Sequence, residues 1–250
     1  GIFIYIVFNI LVADIIVLML KFVNKRRKIN LLCSLKGYYI IGIIVISASV
    51  FFCTYGFIHA QSITKTSYNI TVDKSIDGTD SLKIALLADF HLGYNVGSKK
   101  MEQMVEQVNN MNADLVVIAG DIFDNNYDAL DNPDELIAIL QGINSRLGTY
   151  VVYGNHDVTE TLIGGFSITS RTLAFRDERM NEFLEKCGFT VLTDDIVTLD
   201  NGNIYLIGRL DREKAGDGTS DRMSINKLME NVDKSKVIID LEHEPANLDG

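Results

Sequence analysis

Gly154-Asn155-His156-Asp157 directly follows the apolar run Tyr150-Val151-Val152-Tyr153. That run has the length and β-branched content of a buried strand. A strand ending in Gly, Asn, His and Asp brings three polar side chains to the point where a sheet opens into a cleft. In open α/β sheets this carboxyl edge is where ligands bind. Three other stretches repeat the arrangement. Leu82–Ala88 leads into Asp89-Phe90-His91, and Leu115–Ala119 leads into Gly120-Asp121-Ile122-Phe123-Asp124. Val237–Leu241 leads into His243-Glu244-Pro245.

The residue types in these four turns point to cations. In an extended backbone the side chains of Asp89 and His91 face the same way. Gly120 lets the chain pass close to a site just before Asp121. Asn155 adds a neutral oxygen and His243 a second imidazole. Oxygen and imidazole ligands without thiolates suit Mn, Fe or Zn. Each turn alone is a weak signal: Asp-x-His is often a capping Asp beside a core histidine, and Gly-Asp is usually a turn. Together they are strong, because all three histidines beyond residue 60 lie in them.

Between these strands the spacing predicts helices over Lys99–Met111, Pro133–Ile143, Thr172–Cys187 and Ser224–Asn231. Further strands are expected near Tyr68–Val72, Phe189–Leu192, Ile196–Leu199 and Asn203–Ile207. Alternating strands and helices followed by clustered strands read as a layered α/β sandwich. The segments Thr159–Arg171 and Arg212–Arg222 are polar, Gly-containing and loop-like, and are expected to border the cleft and set specificity.

The first 60 residues have another character. Ile2–Leu20 and Tyr38–Ile58 are almost wholly apolar, each near the ~20 residues that span a bilayer as a helix. The alternatives are a pair of buried core helices or, for the first run, a signal peptide, but no small-residue cleavage site follows it. Residues 21–37 hold six Lys/Arg and no acid, which places that loop on the cytoplasmic side. The second helix then exits to the outer face. Asp14, within the first run, is expected to face other spans, and His59 reads as an interfacial polar residue. The expected organisation is a membrane hairpin over 1–60 (spans 2–20 and 38–58), a linker over 61–81 and a domain over 82–250 outside the cytoplasm.

Charge and cysteine content narrow the field. Beyond residue 60 the chain holds 17 basic and 32 acidic residues, a balance that repels nucleic acid unless cations intervene. Cys33, Cys53 and Cys187 are scattered, odd in number and without CxxC spacing, so neither a disulfide framework nor a zinc knuckle is expected. No Gly-x-Ser-x-Gly occurs, and no cysteine lies near a motif histidine.

The order Asp-x-His, Gly-Asp-x-x-Asp, Gly-Asn-His-Asp, then His resembles the calcineurin-like metallophosphoesterases over residues 82–249. The text around Leu86–Gly93, Asp114–Asp121, Gly208–Arg212 and Asp240–Pro245 is similar to the bacterial membrane-anchored branch. The resemblance implies an α/β/β/α sandwich and two divalent metal ions. It implies that Asp89 and His91 hold the first metal, that Asp121 bridges both, and that Asn155 and His243 hold the second. It further implies that His156 acts on the leaving oxygen or the phosphate with Asp157 orienting it, and that Asp124 stands behind the ligands. Arg209 and Arg212 are candidate phosphate binders, with surface or ion-pair roles as the alternative. The family's later Gly-His-x-His does not occur in these 250 residues, and the chain is read as a piece of a longer protein cut before it.

The function expected is that of a multi-pass, membrane-tethered dimetal phosphoesterase. Water activated between two cations attacks phosphorus in a mono- or diester, with lipid or cell-envelope esters as candidate substrates. The alternative is a non-catalytic membrane receptor or scaffold that retains a partial metal site.

Overall fold

The computed structural model describes residues 2–27, 35–76, 78–94, 96–163, 166–169, 174–218 and 222–245. The chain divides into two compact units, residues 1–67 and 68–250.

The first unit consists of helix α1 (Ile2–Arg27) and helix α2 (Leu35–Gln61), which pack on each other. Their seam holds a polar clasp. Asn9 Nδ2 donates to Ser49 Oγ at 2.9 Å, and buried Ser49 donates in turn to the Val45 carbonyl at 2.8 Å. The large apolar side chains elsewhere on both helices are mostly exposed. Two spans were expected. Among the described residues only Tyr39–Ala60 in α2 is long and apolar enough to cross a membrane, at a mean hydropathy of 2.2. The apolar part of α1, Phe3–Met19, is shorter; at ~1.5 Å per residue it falls below a ~30 Å hydrocarbon core. Asp14 is exposed and does not turn into the α1–α2 seam. Part of the basic loop, residues 28–34, lies outside the described residues.

The second unit is built on a four-stranded parallel sheet. Its strands are β1 (Ile84–Leu87), β2 (Leu115–Ala119), β3 (Thr149–Val152) and β6 (Thr190–Val191), in the order β1-β2-β3-β6. Strand β2 is buried along its whole length, because an inner parallel strand is covered on both faces and needs a continuous apolar run. Leu115, Val117 and Ala119 face a second sheet of β7 (Asp195–Leu199), β8 (Ile204–Gly208) and β9 (Val237–Leu241). There they pack with Val152, Leu192, Leu199, Ile204, Leu206 and Leu241. In the second sheet β7 runs antiparallel and β9 parallel to β8.

Among the described residues, this unit has three longer helices. Helix α3 (Ser98–Met111) buries Met101, Met104, Val105 and Val108, the face its spacing predicts, and ends at Asn112 in a left-handed conformation that Asn tolerates. Helix α4 (Pro133–Leu140) starts on its proline, whose missing N–H is not needed there. Helix α5 (Glu178–Lys186) is capped by Asp177, which accepts the Arg179 N–H.

Several boundaries differ from those expected. The helix expected over Thr172–Cys187 does not begin until Glu178, because Asp177 supplies the cap that starts it; residues 172–173 lie outside the described residues. The strand expected at Tyr68–Val72 does not form: Tyr68 and Ile70 are exposed and no strand pairs with them. The helix expected over Ser224–Asn231 shortens to one turn, α6 (Ile225–Leu228), followed by a 3₁₀ turn. The supposed loop 159–171 contains a small hairpin, β4 (Leu162–Ile163) with β5 (Phe166–Ser167), while residues 164–165 and 170–171 lie outside the described residues. Residues 219–221, in the second segment expected to border the cleft, also lie outside them.

Candidate metal centre

Topology explains why separated motifs meet. Strands β1, β2 and β3 are parallel, so Asp89, Asp121 and Asn155 all leave the sheet at one edge. His243 comes from beyond β9 in the other sheet. Its Nδ1 lies 2.7 Å from the Ala119 carbonyl at the end of β2, which joins the two sheets at the site.

The backbone at this edge is strained. Asp89, His91 and Asp121 have φ values of 56°, 47° and 53°. The left-handed region disfavours side chains, and such residues concentrate where function overrides local comfort. The extended Asp-x-His geometry expected from the sequence is therefore not what brings Asp89 and His91 together. They meet because the chain coils: Asp89 N–H donates to the Gly120 carbonyl, His91 N–H to that of Asp121 and Leu92 N–H to that of Ile122. Two glycines permit the close approach. A Cβ on Gly154 would lie 2.2 Å from Asp121 Oδ1, and one on Gly120 would lie 2.6 Å from the Gly154 nitrogen.

Asp121 is the centre of the arrangement. Its Oδ1 lies 3.4 Å from His243 Nε2, and its Oδ2 lies 3.6 Å from His91 Nε2. Its two oxygens thus face imidazoles from different loops. His91 Nε2 is also 3.9 Å from Asp89 Oδ1, and His243 Nε2 is 3.1 Å from Asn155 Oδ1. Asp89, Asp121 and His243 offer ligand atoms within 4.8 Å of one another, as do His91, Asp124 and His156. Burial works to raise the Asp121 carboxyl, but the hydrogen bond with His243 and the N–H of His156 outweigh it and hold it below the usual range. The hydrogen bond with Asp121 pushes His243 up to about 9.

This donor set fits divalent cations. His243 spends Nδ1 on a carbonyl, which orients the ring and leaves Nε2 as its ligand atom. The side chains gathered here are carboxylates, an amide and imidazoles, suited to Mn, Fe or Zn.

Asp157 has a different place from the one expected. It is fully buried, and its carboxylate accepts the N–H groups of Phe123 and Gly154, both at 2.8 Å. It therefore clamps two turns together and does not orient the His156 ring. Burial pushes its carboxyl up to about 7 against those two N–H donors. The residue that meets His156 is Asn125, whose Nδ2 lies 2.8 Å from Nδ1 of the ring. Arg176 braces the same turn. Its guanidinium lies over the Tyr153 ring, and Nε donates to the Asp157 carbonyl at 3.2 Å. Neither Asn125 nor Arg176 stood out in the sequence: one follows a motif that already ends in Asp124, and the other sits far along the chain.

Asp124 lies 4.0 Å from His91 Nδ1 and accepts from Asn125 Nδ2 at 3.4 Å. Arg209, a candidate phosphate binder, is buried in an ion pair with Glu242 and donates to the Met223 carbonyl. Its charge is thereby committed, and the ion-pair alternative holds. Arg212 is exposed.

A profile of the calcineurin-like phosphoesterases matches residues 82–250. This chain belongs to that family. A "Transmembrane protein with metallophosphoesterase domain" of Danio rerio is 32% identical over 142 residues, covering 52% of this chain and 32% of the relative. An uncharacterized metallophosphoesterase of Campylobacter jejuni is 34% identical over 152 residues, covering 60% of this chain and 38% of its own length. Another, from Aquifex aeolicus, is 28% identical over 193 residues, covering 76% and 66%. The chain thus spans about a third of the length of the first two relatives. Mixed sheets flanked by helices agree with the α/β fold of a metallophosphoesterase, and the family uses divalent metals on phosphate esters.

Proposed function

We propose that this protein is a membrane-tethered dimetal phosphoesterase that hydrolyses phosphate mono- or diesters. The observation that carries the reading is the buried Asp121 carboxylate, with one oxygen toward His243 and the other toward His91. In this reading Asp89, His91 and Asp121 hold one cation, and Asp121, Asn155 and His243 hold the other. When bound, such cations would supply Lewis-acid activation of a phosphoryl oxygen and would acidify a water. They also answer a charge problem, because the surrounding domain is acidic and would otherwise repel a phosphate.

The chain's own residues then position and donate. Asp121 Oδ1 accepts the His156 N–H at 2.9 Å, so the carboxylate facing the imidazoles also fixes the backbone of the histidine next to Asn155. The His91 and His156 rings meet edge-on, 5.1 Å apart. His156 is placed to donate a hydrogen bond to a phosphoryl or leaving oxygen, a role open to imidazole. Asp157 keeps the turn closed behind it.

Membrane tethering is supported by the apolar stretch Tyr39–Ala60 and by the name of the Danio rerio relative, a transmembrane protein. We extend the proposal to a domain outside the cytoplasm, with lipid or envelope phosphate esters as substrates. The basic residues of 21–37 motivate the orientation, and proximity to a bilayer motivates the substrate class. Protease accessibility of the domain in sealed membranes tests the side.

The activity test is turnover of bis(p-nitrophenyl) phosphate by the membrane protein with and without Mn²⁺. Metal-dependent turnover that is lost in Asn155→Ala and in His156→Ala is expected. No metal-dependent turnover would favour the receptor or scaffold reading instead.

A further inference from the structure

What His156 can do to a bound ester depends on which ring nitrogen carries the proton. Asn125 governs that choice. It is buried, and its side-chain nitrogen lies 2.8 Å from His156 Nδ1 and 3.4 Å from Asp124 Oδ1. The carboxylate fixes the orientation of the amide. An amide oxygen in that position would face Asp124 acceptor to acceptor, whereas an NH₂ group has one hydrogen for each neighbour. A hydrogen aimed at Nδ1 makes Nδ1 an acceptor. In a neutral imidazole the proton then sits on Nε2.

Two further features show that the placement is costly locally. Asn125 has a left-handed backbone, φ 58°, and its side-chain oxygen is buried with no hydrogen-bond partner among the described residues. Both are local penalties of the kind held at functional sites. The main chain ties the same two residues together, since Asn125 N–H donates to the His156 carbonyl at 3.1 Å.

We infer that Asn125 is a positioning residue that holds His156 Nδ1 as a hydrogen-bond acceptor, so that this histidine meets a phosphate ester through Nε2–H. The ring then offers no lone pair to a cation, although it lies in one of the two clusters able to hold one. Asp124 acts on the ring through Asn125 by orienting its amide. The consequence for turnover rests on the phosphoesterase reading; the assignment of the proton does not.

The test is long-range ¹H–¹⁵N correlation on protein labelled with ¹⁵N-histidine, with the His156 ring assigned by its disappearance in His156→Gln. His156 is expected to show a protonated Nε2 and an unprotonated Nδ1. Asn125→Asp keeps the shape but replaces the donor with an acceptor, and it should reverse the pattern. Asn125→Ala, which supplies neither, should give a mixture. Unchanged signals from the other histidines report that each variant is folded. A wild-type ring protonated at Nδ1, or an Asn125→Asp ring indistinguishable from wild type, overturns the inference. With Mn²⁺ and bis(p-nitrophenyl) phosphate, Asn125→Asp should lower kcat by about 100-fold, the lower end of what a single positioned proton donor contributes, at unchanged KM and metal content. A parallel loss of bound metal would place Asn125 in the service of the cations and overturn its assignment to His156. Absence of turnover in the wild type would count against the phosphoesterase reading alone, and the ring signals would still decide the inference.

Discussion

The two ends of the parallel sheet treat charge in opposite ways. At the amino end Asp114 accepts the Lys83 N–H at 2.9 Å, and Arg146 joins it at 3.2 Å. Arg146 also reaches Asp200 at 3.0 Å, so the carboxylates there are matched by a guanidinium. At the carboxyl end Asp89, Asp121 and Asp124 face imidazoles and one another, and the nearby Arg209 is committed to Glu242. The amino end uses charge to fasten loops. The carboxyl end gathers negative and neutral donors whose natural complement is a cation.

Removing the carboxylate shared by both halves of the centre should break this contrast most completely. Asp121→Ala is expected to abolish metal-dependent turnover, by roughly 10³-fold or more, and to remove both cations, as read by metal content after dialysis. Retention of one equivalent of metal would mean that the two halves of the site are independent. Asp89→Ala should act on one half only. Its side chain is 61% exposed against 5% for Asp121, so a loss of about 10- to 100-fold is expected, partly restored by added Mn²⁺.

A smaller effect separates holding a turn from doing chemistry. Asp157→Asn removes a buried charge but leaves a carboxamide that can accept only one of the Phe123 and Gly154 N–H groups well. Stability should fall by about 1–3 kcal/mol in denaturant unfolding, with the His156 ring signals in place. An unchanged midpoint would return Asp157 to a direct role on the imidazole.

The smallest effect belongs to the amino end. The Lys83 N–H, followed by Arg146, holds the Asp114 carboxyl below its ordinary range. A depressed carboxyl contributes stability above its unfolded pKa, near 4, and that contribution is lost as pH falls through the folded value. Asp114→Asn should therefore flatten the acid limb of the stability profile and leave turnover at neutral pH unchanged. A change in metal-dependent rate would show that the two ends are coupled.

Much of the site was legible because its residue types are chemically selective. Carboxylate, amide and imidazole directly after apolar strands have few structural uses together. Asp89, His91, Asp121, Asn155 and His243 could be grouped from order alone. What stayed hidden depended on contacts between distant segments. Asn125 looks like one more polar loop residue until His156 is brought against it, and Asp157 looks like a partner for its neighbour until Phe123 N–H claims it. Arg209 looked available until Glu242 was folded against it. The start of α5 was misjudged by six residues because an apolar pattern carries no mark of which Asp will cap.

The sequence by itself determined the apolar strands, the amphipathic helices and the kinds of ligand atom at their ends, because hydrophobic period and side-chain chemistry are local properties. Only the tertiary structure decided that β1, β2 and β3 share one polar edge with His243, that Asn125 meets Nδ1 of the His156 ring, and which charges are already taken. Those are matters of distance across the fold, and distance is set by how the two sheets pack.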